Sequence, residues 1–86
     1  MRRSVRIDNS ADTTAAYAVS AVANIEGETI TTFAEGEVAN GGATLARWSR
    51  YREDTLTIRY AVAEGREEIL AAIEAFCADA QAAVSA

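Results

Sequence analysis

A chain of 86 residues, 50% hydrophobic and carrying a formal net charge of −5, is long enough for one modest core and too apolar to be disordered. Histidine is absent and cysteine occurs once. Those two facts remove the commonest general base, the usual partner of a Ser or Cys nucleophile, and any His/Cys zinc set.

The first strand signal is short, at Val5 and Ile7. Residues 13–25 read two ways. If they are extended, Tyr17, Val19, Ala21, Ala23 and Ile25 share one face and Glu26-Gly27 makes a hairpin turn. Alanine is also the best helix former, and Ser10 or Asp12 suits an N-cap, so a helix over residues 11–24 is the alternative. The strand is preferred because it gives strands of similar length joined by short turns. Thr29 to Val38 is the next strand, with Gly36 marking a bulge. Asn40-Gly41-Gly42 is a strong turn signal. Ala43 to Arg52 and Thr55 to Ala63 follow as strands, joined at Glu53-Asp54. In the second of these Leu56, Ile58, Tyr60 and Val62 alternate with Thr55, Thr57, Arg59 and Ala61.

Beyond Gly65, residues 66 to about 84 carry Ile69, Ile73, Phe76, Cys77 and Ala80 at helical spacing. Glu67 and Glu68 fall in the first turn, at the positive end of the helix dipole. The predicted fold is therefore α+β: a single domain over 1–86, an antiparallel meander of four to five strands, and one C-terminal helix on one face. The alternative is β-α-β-β-β-α, with residues 11–24 helical.

Alanine supplies 20 of the residues, and alanine buries little area. The core is expected to lean on Ile25, Ile30, Phe33, Trp48, Leu56, Ile58, Ile69, Leu70, Ile73 and Phe76. Cys77, on the apolar helix face, reads as a small core residue and not as a nucleophile. A single cysteine also allows no disulfide within the chain. The opening Met-Arg-Arg and the later Ala21-Val22-Ala23 superficially suggest a secretory leader. Asp8 and Asp12 interrupt the apolar run that a leader needs, so a cytoplasmic location is expected.

The pairs Glu35/Glu37, Glu53/Asp54 and Glu67/Glu68 are explained by solvated faces, and there is no phosphate-binding glycine loop or Gly-x-Ser-x-Gly elbow. No catalytic residue, metal ligand or cofactor site is assigned, and the expectation is that the chain is not an enzyme. The order Gly-Gly-Ala-Thr-Leu-Ala-Arg-Trp-Ser-Arg over residues 41–50, a final strand and a long closing helix resembles the last third of START-like ligand-binding domains. The chain is too short for the helix-grip cavity of that class, and membership is not inferred.

Charge is laid out in blocks. Residues 1–8 carry +2, residues 26–37 carry −4, residues 44–60 carry +2 and residues 61–86 carry −4. Two binding readings follow. Glu26, Glu28, Glu35 and Glu37 offer an acidic face to a basic partner, the last two about 6.8 Å apart if extended. Alternatively Arg47, Trp48, Arg50, Tyr51 and Arg52 form an arginine–aromatic strand suited to single-stranded nucleic acid or a partner protein. The acidic net charge makes direct nucleic-acid binding the weaker of the two.

The expected function is contact and not chemistry. The chain reads as a small acidic inhibitor or accessory protein of the phage or mobile-element type, comparable to anti-CRISPR or immunity proteins. It would occlude a basic surface on a larger, nucleic-acid-handling target. A homo-oligomeric structural protein, with a homodimer as its simplest form, is the rival that would add the burial a thin core lacks.

Overall fold

The computed structural model describes residues 2–86. Five strands precede one helix: β1 (Arg2–Asp8), β2 (Ala18–Glu26), β3 (Thr29–Asn40), β4 (Ala43–Tyr51), β5 (Thr55–Tyr60) and α1 (Arg66–Ser85). The strands form one antiparallel sheet in the order β1-β2-β3-β4-β5, and α1 packs on β2 and β3. This is the predicted α+β meander. No helix among the described residues is long and apolar enough to cross a membrane.

The strand reading of the ambiguous segment is correct from Ala18 onward, and the helix over 11–24 does not form. Val19, Ala21, Ala23 and Ile25 are buried on one face, while Ser20, Val22 and Asn24 face the other way. The period-two burial outweighs alanine's helical preference, because a helix here would turn half of this apolar row to water. Residues 9–17 form turns and a short excursion instead.

Small side chains on β2 let α1 lie close. Ala21 and Ala23 are completely buried beneath it, together with Val19 and Val38 on the sheet and Ile69, Ile73, Phe76 and Cys77 on the helix. Phe33, Trp48 and Phe76 pack as a trio, with ring centroids 5.6, 5.9 and 6.1 Å apart. Tilted and edge-on aromatic pairs of this kind contribute about 0.5–1.5 kcal/mol each beyond their burial. Leu56, Ile58 and Leu70, expected in the core, are only half-buried. For Leu56 and Ile58 the reason is position: β5 is an outer strand, and the helix runs over β2 and β3 instead. Strand β5 also ends at Tyr60 and not Ala63.

Two devices fix the helix. At its start, Gly65 adopts φ 74 and accepts a 3.0 Å hydrogen bond from Ile69 N. Near its end, Gln81 clasps the β2–β3 turn: Ile30 N donates to Gln81 Oε1 at 2.9 Å, and Gln81 Nε2 donates to Glu28 O at 2.9 Å.

Candidate functional site

Among the described residues, strand β1 pairs only with β2, and it is exposed along almost its whole length. Because α1 sits over β2 and β3, the side of β1 that faces the helix has no cover. The register places Val5 opposite Ala23 and Ile7 opposite Ala21, so both point to the helix side of the sheet. Val5 is 38% exposed there. The result is an open groove of about 950 Å³ between β1 and α1. Val5 and Ile7 line its sheet side, Ala71, Ala72 and Ala75 line its helix side, and Tyr17 lies in the segment between β1 and β2. Small alanine side chains on the helix leave this space unfilled.

The segment 9–17 closes one end of this groove, and its own polar groups hold it. Asp8 accepts hydrogen bonds from Ser10 N at 3.0 Å and Ser10 Oγ at 2.6 Å. Asp12 repeats the arrangement with Thr14 N at 3.0 Å and Thr14 Oγ1 at 2.6 Å. These are two Asx turns in succession. Asn9 ties the base, donating from Nδ2 to Tyr17 O at 2.9 Å and accepting from Val19 N at 2.9 Å. The hydroxyl and then the amide of Ser10 hold Asp8 below the usual carboxylate range, and Thr14 does the same for Asp12. Both carboxylates are thus firmly ionised at neutral pH. With Glu68 and Asp79 they give the groove an acidic rim, opposed among the described residues by Arg3 alone. The spacing Asp-x-Ser followed by Asp-x-Thr was the sequence signal for this wall.

The acidic quartet predicted from the sequence is not gathered into one face. Glu26 ends β2, 3.9 Å from Arg2, and Glu28 sits in the turn beyond. Glu35 is an exposed residue of the β3 bulge at φ 52. Glu37 lies on the open sheet face, where Arg47 Nη1 donates to it at 3.0 Å. The bulge at Glu35 breaks the extended geometry that would set Glu35 and Glu37 side by side.

The arginine–aromatic strand is divided as well. Strand alternation sends Arg47 and Tyr51 to the open face and Trp48 and Arg50 to the helix face. Trp48 is 4% exposed in the core, and Arg50 lies over the Phe33 ring at 4.7 Å. Trp48 Nε1 and Arg50 Nε are buried without a hydrogen-bond partner among the described residues. Tyr51 remains 58% exposed, and Arg52, in the turn after β4, covers its ring at 5.3 Å. Five residues adjacent in sequence therefore do not make one stacking surface.

Cys77 is buried, and burial pushes its thiol above the ordinary range. That is the behaviour of a core residue and not of an activated nucleophile. Comparison with protein-family models, curated proteins and solved structures finds no match.

Proposed function

We propose that this chain is a non-catalytic protein-binding protein, an accessory or inhibitor of small acidic type. It takes an apolar segment with basic flanks, from a larger partner, into the groove between β1 and α1. The observation that supports this reading is the groove itself, whose apolar walls carry an acidic rim of Asp8, Asp12, Glu68 and Asp79. Concave apolar surfaces with a few placed polar groups are where proteins take ligands. Carboxylates around the edge steer a cationic partner and set its register. The binding surface thus moves from Glu26, Glu28, Glu35 and Glu37 to the rim of the groove. Occlusion of a basic surface on the target is the form of this reading that size and acidity favour, and a cytoplasmic site of action goes with it.

The nucleic-acid reading loses support because Trp48, the base-stacking residue it relied on, is a core residue.

Affinity capture from nuclease-treated lysate tests the proposal, with Ala75→Arg as the probe of the groove. Ala75 is exposed and lines the groove, so arginine there fills the site and leaves the core alone. The expected result is a stoichiometric protein that the wild type retains, that elutes as salt rises, and that Ala75→Arg fails to hold. Equal capture by Ala75→Arg, together with loss on Glu28→Gln and Glu35→Gln substitution, would return the contact to the acidic hairpin and bulge.

A further inference from the structure

The geometry points to a homodimer joined through the free edge of β1, in which a second copy completes the groove. Strand β1 carries Arg2, Arg3 and Arg6 with Asp8 at its end, a basic edge on a protein of net charge −5. Charged residues on an edge ordinarily discourage strand addition. Here their order is self-complementary.

Antiparallel pairing of two β1 strands about a two-fold axis normal to the sheet places residues of the same face opposite one another. Centred on Val5, this register uses all seven residues of β1. It sets each Arg2 against Asp8 of the second copy, each Ser4 against Arg6, each Arg3 against Ile7, and Val5 against its own equivalent. Centring on Ser4 would instead oppose Arg2 to Arg6 twice. Centring on Arg6 would oppose it to its own copy. Centring on Ile7 would pair Arg6 with Asp8 but would engage only residues 6–8 of the strand. The Val5 register is therefore the longest that pairs opposite charges without opposing like ones.

The helix side agrees. Ile7 lies toward the end of the groove that holds Asp12 and Glu68, as its pairing with Ala21 and the position of Tyr17 beside Gly65 and Glu68 indicate. Arg3 of the second copy, opposite Ile7, faces that acidic end. The same contact recurs across the axis.

Such a dimer has a ten-stranded sheet with both helices on one face. At about 4.8 Å between strands, the two helices stand about 19 Å apart. An α-helix with its side chains is about 10 Å across. The two grooves therefore merge into one trough about a helix wide, floored by Val5 and Ile7 from each copy. A single chain holds half of that floor. The occupant this trough fits is an amphipathic helix, basic on its exposed side.

Sedimentation equilibrium tests the pairing. Wild type is expected to dimerise, and Arg2→Asp to weaken the dimer by roughly tenfold, because it sets like charges opposite at two places. Asp8→Arg alone is expected to do the same. A mixture of Arg2→Asp with Asp8→Arg restores both oppositions and is expected to dimerise again. Because Asp8→Arg also removes the Ser10 hydrogen bonds, Val5→Cys serves as a second variant. It lies on the axis, and mild oxidation is expected to link two copies through it while buried Cys77 stays reduced.

A monomeric wild type, Arg2→Asp and Asp8→Arg variants that dimerise as tightly as wild type, or a Val5→Cys protein that gives no covalent dimer would overturn the inference. Those results would leave groove-dependent capture untouched. Conversely, a dimer with no groove-dependent capture would sink only the partner-binding proposal.

Discussion

The indole of Trp48 covers the backbone of Gly36 on the neighbouring strand so closely that a Cβ at Gly36 would stand 2.4 Å from Trp48 Cε2. Glycine is required here for space. Gly36↔Trp48 is also the first paired position after the β3 bulge, so one residue sets both the indole's seat and the strand's irregularity. Gly36→Ala should displace Trp48 from Phe33 and Phe76 and cost about 1–3 kcal/mol. In a domain of this size that lowers Tm by roughly 5–20 °C. Thermal melts followed by tryptophan fluorescence check it, and an unchanged Tm would mean the indole has room elsewhere.

The clasp of Gln81 on the β2–β3 turn predicts a second effect. Gln81→Ala leaves Ile30 N, which is partly buried, without its acceptor. The expected loss is about 1–3 kcal/mol. Gln81→Glu keeps an acceptor for Ile30 N and loses only the donor to Glu28 O, so it should fall between the two. Amide exchange at Ile30 reads the change directly.

Cys77 should resist alkylation in the folded protein and react at once when the protein is unfolded, because burial disfavours its thiolate. Its folded pKa is raised above the unfolded one. The associated stability is present below the ordinary thiol range and declines as pH rises through it. Cys77→Ala should remove that part of the alkaline decline, which melts across alkaline pH would measure.

The turns at Asp8 and Asp12 behave oppositely with pH. Their folded pKa values are lowered by Ser10 and Thr14, so their contribution is present above the ordinary carboxylate pKa of 3.8 and is lost as pH falls through the lowered values. Amide shifts of Ser10 and Thr14 should therefore hold steady at neutral pH and change only in strong acid. Asp12→Asn should flatten the acid response at Thr14 while leaving that at Ser10.

The elements were legible in the sequence where periodicity was strong. The alternation of β5, the Asn40-Gly41-Gly42 turn and the Ile69, Ile73, Phe76 stripe each specify one local answer, and the meander follows from short turns. Coverage by the helix was not legible. Leu56 and Ile58 look like core residues in a one-dimensional pattern, yet they lie on a strand the helix does not cover. The spatial arrangement of the candidate site residues was not legible for a related reason. Trp48 and Tyr51 are neighbours in sequence and sit on opposite faces of the sheet, and Glu35 leaves the ladder at a bulge. The groove depends on where a helix crosses a sheet, which no local pattern encodes.

We propose that partner contact is made in the groove between β1 and α1. Titrating the captured partner, or the segment of it that binds, into isotopically labelled protein tests this most directly. Chemical-shift changes are expected to concentrate at Val5, Ile7, Asp12, Ala71, Ala72 and Ala75 and to fade as salt rises. Changes confined to Glu26, Glu28, Glu35 and Glu37, with β1 and α1 silent, would contradict it.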